Sequence, residues 1–362
     1  MRRACKITLK HITKKKQNQI NSLLAAYRTA VNYYIKTIWI EGGQLNQETL
    51  SKLKNSRLSE RYKSNALKQA LEITSSTKAS SKTTGKQAGM PIFNGSAILD
   101  KKFITIEKGN KSYDLIIKLS TLNKGHRITI PTRKTRVLNK WLDKPLAELI
   151  QGCSLSEKHL ILSIKLPDLP NKKEGTIIGI DIGINKLLSD SNGDHYGRDF
   201  KRIKDKILRK KLNSKGRKRA YRERENYINR TVNLLPFQLI SVLGIELLKN
   251  MKKGKRRNRG KLFRKAIAPW TYRQVLNRIK LKSQENRVRL VEVNPANTSR
   301  LCPICGRCDK DNRRGENFLC ISCGYKADAD TIGAQNILDR TLRTLGSVES
   351  PRLNRLAISD YS

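Results

Sequence analysis

Acidic side chains are scarce in this sequence. Thirty Asp and Glu stand against 76 Lys and Arg in 362 residues, which leaves a formal net charge of +46. A compact chain under that self-repulsion is expected to meet a polyanion, and nucleic acid is the first candidate. Long apolar runs are missing too: none reaches the roughly 18 residues of a membrane-spanning helix, which sets membrane binding aside. The opening MRRACKITLK lacks the apolar core of a signal peptide, so a soluble cytoplasmic protein, associated with the nucleoid, is expected. Cysteine is sparse outside one place. Of seven, five fall between Cys302 and Cys323, while Cys5 and Cys153 stand alone in apparent strands. That is no disulfide framework: clustered Cys-x-x-Cys pairs point to a metal, and the isolated thiols read as small buried hydrophobes.

The length leaves room for two or three domains. Ala4 to Leu9 reads as a strand. From Lys16 the period turns helical, with Ile20, Leu23, Leu24, Tyr27, Val31, Tyr34, Ile35 and Ile38 on one stripe ending before Gly42-Gly43. A second helical region covers about Gln47 to Leu71. The polar, basic stretch Ser75 to Gly89 predicts a linker, or a loop that orders on a partner. Beyond it, period-two segments at Ile98–Glu107, Tyr113–Leu119, Arg127–Ile130, Leu146–Cys153 and His159–Lys165 predict strands. Together with the first strand they would make a small β-barrel with a helical insertion. Pro167 to Gly175 marks the main domain boundary.

The second half is organised around TIIGIDIGINKLLSDSNG, Thr176 to Gly193. Ile178, Ile180 and Ile182 alternate with Gly179, Asp181 and Gly183, so one face of a strand is packed and the other presents Asp181. Asn192-Gly193 is a hairpin turn signal. Asp181 reads either as a catalytic metal ligand or as a hairpin Asp, and a similar pattern occurs in sugar kinases and actin-like ATPases. Arg198 to about Asn233 is dominated by Lys and Arg, with Tyr221 and Tyr227 interleaved. Lys210, Lys211, Arg217, Lys218, Arg219, Tyr221 and Arg222 are candidate phosphate-tracking residues, against the alternative of a solvated helix with internal ion pairs. Arg256, Arg257 and Arg259, in a basic loop from Lys252 to Lys265, join them. Phe237 to Leu248 predicts a helix end and a strand holding Glu246, about Pro269 to Asn286 a helix, and Val288 to Val293 a strand.

Cys302-Pro-Ile-Cys305-Gly and Cys320-Ile-Ser-Cys323-Gly are two metal knuckles. Four thiolates close a tetrahedral shell with no open position, so Zn2+ here would hold a fold and not catalyse. Cys308 reads as a spare thiol, although Cys305-x-x-Cys308 leaves a second pairing open. Tyr325 to Leu338 then sets Asp328 and Asp330 at the start of an apolar helical pattern, where a capping role competes with a functional one. Thr341 to Ser362 predicts a disordered tail.

Three acids stand out in a chain short of them: Asp181, Glu246 and Asp330. Two-metal hydrolysis of phosphodiesters needs such hard oxygen ligands around a pair of Mg2+ ions. A kinase-like reading would want a phosphate-cradling loop, and no convincing one follows the Asp181 strand.

The order Asp strand, basic helices, Glu strand, helix, zinc ribbon and Asp-x-Asp helix resembles the TnpB family of transposon-encoded RNA-guided DNA nucleases and their descendants, the compact type V CRISPR effectors. Gly179-Ile-Asp181-Ile-Gly183, Gly244-Ile-Glu246-Leu-Leu248, Thr298-Ser-Arg-Leu-Cys302, the two knuckles and Asp328-Ala-Asp330 carry the likeness. Weaker likeness lies in Tyr27-Arg28, Val31-Asn32 and Pro91-Ile-Phe93.

The resemblance implies an α/β RNase H-like (RuvC) nuclease over residues 175–300 and 327–340, split by a zinc ribbon at 301–326. It further implies a wedge barrel from 1–10 and 90–168, with a helical recognition insertion at 11–89. A guide RNA, target DNA and a short flanking duplex motif are the implied partners, with Asp181, Glu246 and Asp330 as the magnesium triad. Two positions depart from the family pattern. Leu247 stands where Asp is usual, which makes Glu292 the runner-up for the second carboxylate, and Ile332 stands where Asn is usual. A nuclease-inactive RNA-guided DNA-binding regulator on the same scaffold is the alternative. A zinc-ribbon RNA-binding protein would leave the triad unexplained, and monomer and homodimer stay open.

Overall fold

In the computed structural model of the chain, residues 1–346 are described apart from 86, 111, 124, 184 and 248–271. Clustering of the backbone separates two compact units, Met1–Asp168 and the chain from Leu169 onward.

The first unit opens with β1 (Arg2–Thr8), whose alternate residues Cys5 and Ile7 are buried. The Thr13 side chain caps α1 (Lys14–Ile40) by accepting from Lys16 N, and the predicted stripe from Ile20 to Ile38 is its buried face. The second helical region is two helices, α2 (Gln47–Ser51) and α3 (Glu60–Thr84). Tyr27 of α1 donates its hydroxyl to Gln69 Oε1 (2.9 Å) and accepts from Asn65 Nδ2 (2.9 Å), which locks the two long helices together.

The linker expected from Ser75 is corrected, because α3 continues to Thr84. No Pro or Gly interrupts Leu71 to Thr84. The hydroxyls of Thr74, Thr77 and Thr83 donate to carbonyls four residues back, so their polarity is satisfied inside the helix. Gly85, at φ +67°, ends it.

The strand expected over Ile98–Glu107 is broken in two, β2 (Ala97–Asp100) and β3 (Ile104–Lys108). Then come β4 (Leu115–Ser120), β5 (Arg127–Thr132), a short helix α4 (Arg136–Leu142) absent from the sequence reading, β6 (Glu148–Leu155) and β7 (His159–Lys165). The expected barrel is not closed: the strands form two sheets, β1-β7-β6-β2 and β3-β4-β5. β6 shifts register against β7 between Leu149 and Cys153. There the Gln151 side chain takes the place of a ladder, accepting from Ile106 N (2.8 Å) and donating to Ile106 O (3.1 Å) of β3.

The second unit is built on a five-stranded sheet in the order β10-β9-β8-β11-β12. It comprises β8 (Thr176–Asp181), β9 (Leu188–Asp190), β10 (His195–Tyr196), β11 (Ile240–Glu246) and β12 (Arg289–Val293). β8, β11 and β12 run parallel, while β9 and β10 are antiparallel additions joined by the turn that holds Gly193 at φ +94°. Between β10 and β11 lie α5 (Phe200–Leu208) and α6 (Lys215–Val232); α7 (Tyr272–Glu285) precedes β12. Three short strands, β13 (Arg313–Arg314), β14 (Asn317–Leu319) and β15 (Lys326–Asp328), form the ribbon sheet that leads into α8 (Ala329–Thr344).

Side-chain alternation assigns the two faces of the large sheet. Ile178 and Ile180 of β8 and Leu243 and Ile245 of β11 share one core with Phe200, Ile228, Val232, Val275 and Ile279 of α5, α6 and α7. The opposite face carries Gly179, Asp181, Gly244 and Glu246, and it is covered by α8. A Cβ on Gly179 would overlap Ala334 O and stand 2.6 Å from Leu338 N, and one on Gly244 would overlap the Thr341 hydroxyl. The two glycines are directly paired across β8 and β11, which makes a shallow bed for the helix. The disordered tail expected from Thr341 is corrected over its first residues, because α8 continues to Thr344, with Thr341 fully buried and its hydroxyl donating to Ile337 O (2.7 Å); the rest of that stretch, 347–362, lies outside the described residues.

Candidate metal and carboxylate sites

Two groups of side chains in the second unit have the chemistry to hold cations. The first is the cysteine group. Cys302, Cys305, Cys320 and Cys323 bring their sulfurs within 4.8 Å of one another, a grouping of three or more His, Cys, Asp or Glu that occurs once among the described residues. Cys302 and Cys323 sulfurs are 3.7 Å apart and those of Cys305 and Cys320 3.5 Å. Zn–S bonds of about 2.3 Å in a tetrahedron give edges of about 3.8 Å, so this cage fits one zinc-sized ion.

Amide N–H groups of Ile304 and Cys305 point at the Cys302 sulfur, and those of Ser322 and Cys323 at Cys320. Gly306 (φ +75°) and Gly324 (φ +73°) supply the left-handed turn that closes each knuckle. Cys308 lies outside the group, paired through its backbone with Leu301.

The second group is acidic. Asp181 ends β8, Glu246 ends β11 in the neighbouring strand, and Asp330 lies in the first turn of α8 above them. Burial, then the charges of Glu246 and Asp330, push the Asp181 carboxyl up to about 8. Burial also raises Glu246 and Asp330. The three sequence candidates thus converge, spaced more widely than the cysteine sulfurs, and each would be ionised more readily beside a cation.

Glu292, the runner-up, is excluded from this group by register. It pairs with Ile245, on the face toward α5–α7, and its carboxylate is 2.5 Å from Lys280 Nζ.

Several neighbours escaped the sequence reading. Thr298 donates its hydroxyl to the Glu246 carboxylate, and Asn336 Nδ2 donates to Thr298 O (2.7 Å) and Leu301 O (2.8 Å), tying this threonine to α8. Asn336 stands one helical turn beyond Ile332, which is buried in the ribbon core with Cys302, Phe318 and Cys320 and has no polar role. Arg313 of β13 places Nη2 3.3 Å from Asp330 Oδ1 and lowers Asp181 and Glu246 as well. Lys186 pairs with Asp328 and lies 4.0 Å from Asp330. Asp328 itself caps α8, accepting from Asp330 N and Thr331 N. The Thr298 motif had been visible in sequence without a role, whereas Arg313 lies in a ribbon with no periodicity to single it out.

The basic residues are sorted by the structure. Arg219 and Arg222 line a groove between α5 and α6. Arg217 instead donates to Lys210 O (3.0 Å) and lies over the Tyr221 ring, which Arg224 also approaches at 4.9 Å. Tyr221 is therefore engaged by two guanidiniums. Lys210, Lys211 and Lys218 are exposed, and Arg256, Arg257 and Arg259 fall outside the described residues.

Fold and site together define an α/β domain with a buried carboxylate group, interrupted before its last helix by a four-cysteine ribbon. A family model, the Cas12f1-like, TNB domain, matches residues 272–337, from α7 through the ribbon into α8. A CRISPR-associated endodeoxyribonuclease Cas12f1 of Sulfoacidibacillus thermotolerans is 39% identical over 69 residues, 19% of this chain and 16% of that protein. A TnpB-like protein of Methanocaldococcus jannaschii is 26% identical over 260 residues, 69% of this chain and 86% of that one. The cryo-EM structure of a Cas12f1-sgRNA-target DNA complex shares the fold, with a TM-score of 0.54 at 19% identity over 92% of this chain and 83% of that one. This chain belongs to the family of TnpB-like proteins and compact type V CRISPR effectors. It spans 16% of one Cas12f1 relative and 47% of another. Among the described residues no helix is long and apolar enough to cross a membrane.

Proposed function

We propose that this protein is an RNA-guided DNA endonuclease whose second unit is the RuvC-like nuclease and whose first unit is the wedge and recognition region. The observation that carries the reading is the convergence of Asp181, Glu246 and Asp330 at one end of a parallel sheet, each carboxyl raised by burial. A chain with a formal charge of +46 supplies the binding surface for RNA and DNA, with base pairing to the guide choosing the target and the protein reading a short flanking duplex motif.

Asp181, Glu246 and Asp330 would hold two magnesium ions. Bound there, the ions would supply Lewis acidity and an activated water for hydrolysis at phosphorus. The chain's own residues set the geometry. Thr298 orients Glu246, Asp328 fixes the first turn of α8 and hence Asp330, and Arg313 stands ready to meet negative charge that builds up on phosphate oxygens. The cysteine ribbon would hold zinc as a structural staple.

The test is to sequence the RNA that copurifies with the protein, then to incubate the complex with matched DNA. Cutting with Mg2+ and none with EDTA is expected. Asp181→Asn is expected to abolish cutting while leaving RNA and DNA binding within about twofold, since it removes one charge from a site designed around cations. Tight binding of matched DNA without a nick in Mg2+ or Mn2+ would make the protein a nuclease-inactive regulator.

A further inference from the structure

Arg202 of α5 and Arg219, Arg222 and Arg230 of α6 open onto one groove of about 470 Å³. All four are exposed, and none has an ion pair among the described residues. The groove's one acid, Glu223, is already paired with Lys206 at 2.6 Å. Positions 219, 222, 226 and 230 follow one stripe of α6, about 16 Å long at 1.5 Å per residue. Asn226 sits in the middle of the stripe, with Tyr227 and Ile203 in the groove wall. A ridge of unpaired guanidiniums over that length fits consecutive phosphates of one strand.

Location decides which strand. α5 and α6 pack on the face of the sheet that carries Ile178, Ile180, Leu243 and Ile245, whereas Asp181 and Glu246 project from the other face. The groove, on the outer side of these helices, is on the order of 15 Å from the sheet. The sheet therefore stands between a strand held here and the carboxylates. That placement suits a nucleic acid the protein must keep and not cut.

We propose that the α5–α6 groove seats the phosphate backbone of the guide RNA, on the side of the sheet opposite the carboxylates. The inference rests on the RNA-guided reading above and deepens it by assigning one surface to one of its two nucleic acids.

Two measurements on the full-length protein decide it, using the RNA that copurifies with it and a matched DNA duplex, each separately labelled. With p-benzoylphenylalanine in place of Asn226, photolysis is expected to attach the RNA. Attachment of the DNA in its place overturns the proposal. In the second measurement, Arg219→Glu with Arg230→Glu is expected to weaken RNA binding by about 100-fold near 0.15 M salt. The salt slope is expected to fall by about 1.4 to 1.8, the share of two phosphate contacts. Arg219→Lys with Arg230→Lys keeps both charges and is expected to stay within about fivefold of the parent. RNA affinity unchanged by the Glu pair, or an equal loss in the Lys pair, overturns the proposal. A protein that crosslinks RNA at position 226 yet never cuts matched DNA would keep this inference and sink the nuclease reading. Cutting without that crosslink would do the reverse.

Discussion

Replacing Gly179 by Ala tests how the carboxylates are brought together. A Cβ there would overlap Ala334 O and lie 2.6 Å from Leu338 N and 3.1 Å from Leu338 Cα, all of them backbone atoms of α8. No rotamer change can relieve that contact, so the helix must retreat by roughly 1 Å, a repacking that costs about 1–3 kcal/mol. Loss of glycine's unfolded-state entropy returns about 0.5–1 kcal/mol. The net loss is about 0–2.5 kcal/mol; for a unit of this size each kcal/mol moves the melting temperature by about 2–4 °C, so a fall of about 4 °C at the middle of these ranges, and of at most about 10 °C, is expected by calorimetry. Gly244→Ala differs in one useful respect, because its Cβ would overlap a side chain, the Thr341 hydroxyl, with Thr341 Cβ at 3.0 Å. Pairing it with Thr341→Ala should recover part of its loss, about 1 kcal/mol of coupling in a double-mutant cycle, whereas Thr341→Ala should not rescue Gly179→Ala. Because α8 carries Asp330, both glycine variants should also lose cleavage. A Gly179→Ala protein that melts within about 1 °C of the parent and still cuts would refute the claim that α8 is seated on the glycine pair.

Metal removal and pH give two further tests. Zinc analysis of the purified protein should find about one ion per chain, and Cys320→Ser or strong chelation should release it and lower the melting temperature. The ribbon core that includes Cys302, Phe318 and Cys320 continues into Ala329 and Ile332 of α8, so the loss should extend to the carboxylates, read as weaker Mn2+ binding. In magnesium-free buffer, the Asp181 carboxyl lies at about 8 when folded against an ordinary value of 3.8. A raised acid contributes stability that is full below the unfolded value and is lost as pH rises through the folded one. Melting temperature should therefore decline from about pH 4 to pH 8. Asp181→Asn should flatten that decline, and Mg2+ should oppose it; an equally steep decline in the Asn variant would count against the assignment.

The strands of the second unit were legible because their signals are local. A β-branched run ending in Asp181, FQLISVLGIE ending in Glu246 and VRLVEV each became a strand of the sheet. What local pattern could not give was the identity of the covered face. Gly179 and Gly183 read as spacers that leave Asp181 open, but Gly179 is bare because a helix about 155 residues further along lies on it. The same blindness to distant partners turned two sheets into an expected barrel, since alternation reports which residues are buried but not which strands meet. Ser75 to Thr84 failed for the opposite reason. Its composition looks solvated, yet threonine can satisfy its hydroxyl within a helix, and with no breaker before Gly85 the helix continued. Arg313 had no signal at all, being one cation among 76 that only the ribbon's fold distinguishes.

The ribbon's position explains why a structural ion would matter to a reaction it does not touch. Asn312, fully buried, donates Nδ2 to Arg300 O (2.9 Å) and Arg307 O (3.1 Å) beside the first knuckle and accepts from Ile321 N (3.0 Å) in the second. It thus bridges both halves of the thiol cage, and the next residue is Arg313. At the other edge of the ribbon sheet, β15 ends in Asp328, which caps α8 and receives Lys186 from the loop after β8. The two groups that reach the acids from the ribbon side, Arg313 and the first turn of α8 with Asp330, are therefore each one covalent step from a residue fixed by the ribbon. Loosening the cage frees both at once, and Asp181 and Glu246, which sit on the sheet, stay behind. Zinc would set the distance between a sheet-borne pair of carboxylates and a helix-borne one, and on the proposed mechanism that is the distance a pair of hard cations would have to match.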